Sequence, residues 1–172
     1  MLILLVIEIL LLGFIAFQDI KDKQVHVALF LLLGIVFITH NIVFGMHASF
    51  FRHAAINLGF LLLETGLLFM YVWFRKRTAR HFLSLLGLGD IVFFVLLALL
   101  LSPLNFIAFF MGTLMLVILF YGMRHFLFAN ADNRIPLAGI QAVLMAALLV
   151  ADYFWKAFNV YSDTLLLNTI LA

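Results

Sequence analysis

Long apolar segments recur along almost the whole chain, and they constrain its fold more than any other feature. Of the 172 residues, 67% are hydrophobic and only 10% are charged, and the mean hydropathy is +1.27. Soluble domains carry about 25% charged residues. A soluble globule of this size cannot hide so much apolar surface, so the composition predicts a chain that folds in lipid and binds no nucleic acid.

Six of these segments approach the length of a membrane span, which is about 20 apolar residues for a helix. Short polar breaks separate them, the clearest at residues 45–53. We therefore predict an all-α, polytopic membrane helix bundle with about six transmembrane helices. The predicted spans are residues 1–18, 26–44, 54–74, 82–101, 104–121 and 135–155. Residues 1–155 form the predicted membrane domain, and residues 156–172 form an amphipathic C-terminal tail.

Basic residues are distributed unequally among the predicted loops. Arg52 and Lys156 lie on one side, and eight bases lie in the loops after the odd-numbered helices: Lys21, Lys23, Arg75, Lys76, Arg77, Arg80, Arg124 and Arg134. Because cytoplasmic loops are enriched in Lys and Arg, we expect both termini outside and the odd-numbered loops in the cytoplasm. Membrane lipid headgroups are the expected partners of Lys21 and Lys23.

Among the carboxylates in or at the ends of the spans, four stand out: Glu8, Asp19, Glu64 and Asp90. Each costs about 2.5–3.5 kcal/mol on membrane-insertion scales, so such residues usually mark function. For Glu8 and Glu64 we expect structural hydrogen bonds, although a proton path is the open alternative. Two further carboxylates, Asp132 and Asp152, are expected to be solvated.

Asp19 and Asp90 belong to the same side of the membrane by this topology. Asp19 closes the first span and, taken alone, is a solvated helix-end residue. Asp90 lies about eight residues inside the fourth span, after Gly87 and Gly89, which allow close backbone approach. Two carboxyl groups brought together share one proton, and such a pair can activate water against an amide carbonyl.

Three segments carry a resemblance to a known family: Ala16 to Val25, Gly87-Leu88-Gly89-Asp90, and Arg134 to Gly139. The first resembles the first aspartate motif of type IV prepilin peptidases and archaeal preflagellin peptidases. The second resembles their Gly-x-Gly-Asp signature, which presenilin-type intramembrane aspartyl proteases share. The third is similar to the Ile-Pro-rich segment that opens the last helix in these peptidases. The resemblance covers about residues 1–155.

The resemblance implies a multi-pass aspartyl endopeptidase of the cell (inner) membrane, using an Asp19/Asp90 dyad and water at the cytoplasmic face. Gly87 and Gly89 would be the supporting motif. The implied partner is a pilin-like precursor with a short basic leader and an apolar helix, as in type IV pilus assembly and protein secretion. No cofactor and no metal is expected. Bifunctional members carry Cys pairs in an added domain, and this chain has no Cys, so we expect no methyltransferase activity.

The chain departs from the family pattern at two points, and two alternatives stay open. Val25-His26-Val27 stands where Ile-Pro-Asn is frequent, and Val92 stands where many members have Lys. One alternative is a small proton-coupled transporter or channel in which Glu8, Glu64 and Asp90 form a relay. The other is a catalytically inactive assembly factor that keeps the fold.

Overall fold

The structure is a computed structural model that describes residues 2–43, 47–76, 87–127, 136–155, 160 and 162–163. Within these ranges every regular element is helical, which confirms the predicted all-α class. The helices, numbered in chain order, are α1 (Leu2–Asp22), α2 (Val27–Val43), α3 (His47–Lys76), α4 (Leu88–Leu100), α5 (Pro103–Leu127) and α6 (Leu137–Trp155).

Four of the described helices are long and apolar enough to cross a membrane. These spans are Leu2–Asp22, Phe50–Phe74, Pro103–Tyr121 and Leu137–Phe154. The other two, α2 and α4, are apolar but shorter, with 17 and 13 residues. The predicted membrane helix bundle is therefore confirmed, with four of the six helices reaching span length.

Several helix ends differ from the hydropathy prediction, because backbone chemistry rather than apolarity sets them. The polar break predicted at residues 45–53 is wrong for residues 47–53, since α3 already begins at His47. Polar side chains do not end a helix, whereas glycine, proline and left-handed residues do. Likewise α1 continues past Asp19 and ends where Lys23 adopts a left-handed φ of 51°. The Lys23 N–H donates to the Asp19 carbonyl at 3.0 Å, which closes the last turn.

The start of α4 also needs correction. Gly87 has φ −63° and ψ 143°, which is extended backbone, so the helix begins at Leu88 and not at residue 82. Residues 77–86 lie outside the described part of the chain. Asp90 therefore lies in the first turn of α4 rather than two turns inside a helix.

Close packing of apolar side chains holds the helices together. The most extensive pairing is α1 against α6, while α4 packs against both α2 and α3. Lipid tails are as apolar as leucine, so dispersion contacts and polar bonds stabilise such a bundle more than a hydrophobic force does. Gly34 of α2 allows one close approach, because a Cβ there would lie 3.0 Å from Leu96 Cδ2 of α4. The side chains at the centre are Leu12, Ile15, Leu33, Phe37, Phe93, Leu97, Phe106, Met145 and Leu149.

Polar contacts secure the end of the bundle opposite Asp90. Asn57 of α3 donates from its amide to the Ala98 and Leu101 carbonyls, at 2.9 and 2.8 Å. These carbonyls end α4 and have no partner within that helix. Asn57 thus fixes the far end of the helix that carries Asp90.

The described part of the C-terminal tail docks on the turn between α4 and α5. Val160 is fully buried, and its carbonyl accepts from the Ser102 N–H at 3.2 Å. The Asp163 carboxylate accepts from the Leu104 N–H at 3.0 Å and so caps the start of α5. The prediction of an amphipathic tail falls mostly on residues 156–159, 161 and 164–172, outside the described residues.

Candidate active site

The first turn of α6 has N–H groups that its own sequence cannot satisfy. The opening N–H groups of any helix lack partners within the helix, and a Ser, Thr, Asp or Asn side chain usually accepts from them. Here Pro136 precedes the helix, and its carbonyl accepts from the Ile140 N–H at 3.1 Å. Proline has no side-chain acceptor, so earlier N–H groups, among them those of Ala138 and Gly139, need acceptors from elsewhere.

Asp19 of α1 supplies one acceptor. Its Oδ2 accepts from the Gly139 N–H at 2.6 Å, and the residue is buried. This contact needs glycine, because a Cβ at residue 139 would lie 3.1 Å from Asp19 Cβ and Oδ2. It would also lie 3.3 Å from the Ala16 carbonyl oxygen. The close packing of α1 on α6 at Gly139 therefore brings the Asp19 carboxylate within reach of this N–H group.

Asp90 of α4 supplies the second acceptor. Its Oδ1 accepts from the Ala138 N–H at 2.9 Å, and its Oδ2 accepts from the Gly87 N–H at 3.2 Å. A Cβ at residue 87 would lie 3.0 Å from Asp90 Oδ2, so glycine leaves room for the carboxylate to fold back. Gly89 is under no such constraint, since its Cβ would meet only Phe30 ring atoms at 3.7 and 3.8 Å.

The structure brings the two predicted aspartates together at one helix terminus. They accept hydrogen bonds from neighbouring N–H groups. They are also close enough for electrostatic interaction between the two carboxyl groups. A helix N-terminus carries a partial positive charge, which favours anionic groups there. Both carboxylates line one cavity of about 410 Å³, whose other lining residues include Lys23, Val27, Phe30 and Val92.

This arrangement suits acid–base chemistry on a neutral substrate. Two carboxyl groups held by one helix terminus can share a proton, so that one acts as base and the other as acid. The cavity walls are largely apolar, which strengthens electrostatic interactions inside. Among the described residues, no group of three or more His, Asp or Glu side chains is placed to hold a metal ion.

The other carboxylates have different settings. Glu8 is fully buried and pairs with His40, whose Nδ1 lies 2.8 Å from Glu8 Oε1. Glu64 is half-buried on α3. The expectation of a solvated Asp152 is wrong, since this residue is half-buried and accepts from the Val160 N–H. Asp132 lies outside the described residues.

Sequence reasoning missed the backbone donors of Ala138 and Gly139. The available signal was Pro136, which often marks a helix start, followed by two residues with little or no side chain. That pattern predicts an open helix terminus, but it does not say which side chains reach it. Comparison of the chain with protein-family models, with curated proteins and with solved structures finds no match.

Proposed function

We propose that this chain is a membrane aspartyl endopeptidase in which Asp19 and Asp90 hydrolyse an amide bond with water. The observation that carries the proposal is their joint anchoring at the α6 terminus, beside a cavity that both line. The resemblance of the motifs around Asp19, Asp90 and Pro136 supports the same function, since these motifs meet at this point of the fold.

The chemistry follows from the paired carboxyl groups. One carboxylate removes a proton from water as the water oxygen attacks the scissile carbonyl carbon. The protonated partner donates to the carbonyl oxygen, and a proton then passes to the departing amine as the C–N bond breaks. The pair titrates as a unit, so acid and base roles belong to the dyad and not to one residue. The N–H groups of α6 hold the carboxylates in place throughout.

The proposed substrate is a pilin-like precursor with a short basic leader and an apolar helix. Its scissile bond must be extended, because helical carbonyls are already hydrogen-bonded. Exposed apolar side chains of the cavity rim, Val27, Leu88 and Val92, offer contacts to the apolar segment. Asp22 is exposed next to Lys23 of the cavity lining, so it adds negative charge for a basic leader.

A proton relay of Glu8, Glu64 and Asp90 has less support. A path along α1 from Glu8 to the dyad would need polar groups at hydrogen-bonding intervals. The buried side chains on this path are instead Leu12, Ile15 and Ala16, which are 0%, 0% and 4% exposed. This apolar layer separates the two polar ends of the helix.

An inactive scaffold is the stronger rival, because capping α6 is by itself a structural role for both aspartates. One experiment separates these functions. The purified chain is reconstituted in lipid vesicles with a synthetic precursor that has a basic leader, a glycine at the cleavage point and an apolar helix. A shortened product supports the peptidase, and proton flux without cleavage supports the transporter. The absence of both cleavage and proton flux supports the scaffold.

A further inference from the structure

A second buried polar cluster lies at the opposite end of the bundle from the dyad. Glu8 of α1 is fully buried, and the His40 side chain of α2 is 5% exposed. They share a hydrogen bond of 2.8 Å, while Glu8 Oε2 is buried with no partner. Asp152 of α6 lies within electrostatic range of His40. The hydrolytic mechanism uses none of these groups.

Stability alone does not explain such a pair. Burying two ionisable groups costs desolvation energy, and replacing a buried pair with apolar residues of similar volume is often neutral or stabilising. The best-attested use of a buried polar pair is to fix the register of packed helices. The incomplete bonding of Glu8 Oε2 makes the pair still less favourable as a source of stability.

The other buried side chains of α1 do little to fix the rotation of the helix about its own axis. Its buried face consists otherwise of Leu5, Leu12, Ile15 and Ala16, which are aliphatic and make contacts without direction. Glu8 and Asp19 are 11 residues apart, so at 100° per residue they lie about 20° apart around the helix and about 16 Å apart along it. The directional bonds of this face are therefore at its two ends, one to α2 and one to α6.

We propose that the Glu8–His40 hydrogen bond is a positioning device, which fixes the rotation of α1 and thereby aims Asp19 at Gly139. A slip of one residue would turn α1 by about 100° and take the Asp19 carboxylate away from α6. Glu8 and His40 are positioning residues, since neither lines the cavity that Asp19 and Asp90 share.

Amide hydrogen exchange tests this geometry without any need for catalysis. The Gly139 N–H donates to Asp19 of α1, whereas the adjacent Ala138 N–H donates to Asp90 of α4. If α1 turns away, the Gly139 N–H loses its acceptor and exchanges faster, while the Ala138 N–H keeps its acceptor and serves as the internal reference. The exchange rate of Gly139 relative to Ala138, measured by nuclear magnetic resonance in micelles, therefore reports how well α1 presents Asp19 to α6.

Three variants decide the outcome. The E8L/H40L chain is expected to insert and fold, but to exchange the Gly139 N–H several-fold faster, with the Ala138 N–H unchanged. E8Q keeps a hydrogen-bonding group for His40 and is expected to exchange at the native rate. Thr39→Val is the matched control, because the Thr39 hydroxyl donates to the Ile35 carbonyl of its own helix. Native exchange of Gly139 in E8L/H40L, or fast exchange in E8Q, overturns the proposal.

Failure of the E8L/H40L chain to fold would also overturn it, because a pair that sets register alone is dispensable for folding. An activity arm, which rests on the proposed peptidase function, uses the same variants. There E8L/H40L is expected to lower kcat by about 100-fold, the cost of a misplacement of about 1 Å, with KM little changed. Absence of cleavage in the native chain would count against the proposed function and leave the hydrogen-exchange result standing.

Discussion

Asp19 and Asp90 reach the first turn of α6 from two different helices and accept hydrogen bonds from adjacent N–H groups, those of Gly139 and Ala138. One helix terminus thus holds two carboxylates that are 71 positions apart in the chain. Because Pro136 offers no side-chain acceptor, the fold needs both aspartates there whether or not they catalyse a reaction. The predictions below separate these two roles.

Asparagine at position 19 or 90 keeps an acceptor oxygen for α6 but cannot act as acid or base. We therefore expect both variants to insert and fold, with Asp90→Asn slightly less stable because its amide nitrogen cannot accept from the Gly87 N–H. Cleavage of the synthetic precursor is expected to fall by at least about 100-fold in each variant. Glu64→Gln serves as the control and should cleave normally, because Glu64 of α3 is another carboxylate of the bundle and does not line the cavity. A clear loss of thermal stability in both variants, with the rate of cleavage unchanged, would favour a purely structural role.

The two glycines before Asp90 are expected to differ in importance. A methyl group at Gly87 meets Asp90 Oδ2 at 3.0 Å, whereas one at Gly89 makes only ordinary contacts with Phe30. Gly87→Ala should displace the carboxylate and lower kcat by about tenfold or more. Gly89→Ala should retain kcat, with any effect confined to KM because Gly89 lines the cavity. Steady-state kinetics on both variants checks this, and equal kcat values would contradict it.

Gly139→Ala is expected to separate α1 from α6. Its Cβ would lie 3.1 Å from Asp19 Cβ and 3.3 Å from the Ala16 carbonyl oxygen, and backbone cannot give way as a flexible side chain does. The cost of such overpacking is about 1–3 kcal/mol in the free energy of unfolding, measured by denaturation in micelles. Gly13→Ala is the matched control, because a methyl group there meets nothing within 4 Å. Equal free energies of unfolding for the two variants would show that α1 does not pack this closely on α6 at Gly139.

Asn57→Leu should loosen the end of α4 opposite the dyad. The substitution leaves the Ala98 and Leu101 carbonyls without their amide donor, at a cost of about 1–3 kcal/mol for each unsatisfied group. Thr65→Val, on the same helix, removes a hydroxyl that bonds to carbonyls of its own helix and should cost less. Thermal unfolding of the two variants in micelles compares these costs. A smaller effect for Asn57→Leu would mean that α4 is held by apolar packing alone.

Apolar segments predicted the helical membrane class because the need to satisfy backbone groups in lipid leaves few other folds. Helix ends were less predictable, because Gly87 and the left-handed Lys23 set them through backbone conformation. Asp19 and Asp90 could also be identified from the sequence, because placing a carboxylate in a membrane costs free energy and such residues are rare in apolar segments. The N–H donors of Ala138 and Gly139 could not be identified in this way, because every residue except proline carries the same group.

The partners of the buried carboxylates were equally beyond the sequence. Glu8 pairs with His40, 32 positions away, and nothing in the local pattern distinguishes that histidine from the others. Asp152 was expected in solvent because it lies near the end of a span. The tail residue Val160 folds back to bind it, and the sequence carries no signal for that long-range contact.

The most direct test of the central claim follows the origin of the new carboxyl oxygen. The chain and the synthetic precursor are reconstituted in vesicles in water enriched in the heavy oxygen isotope, and the released leader is weighed by mass spectrometry. Direct attack of water by the Asp19/Asp90 dyad predicts one heavy oxygen in each leader carboxylate in the first turnover, and no leader from Asp19→Asn or Asp90→Asn. An intact precursor with the native chain, or labelled leader released equally by either variant, would contradict the account.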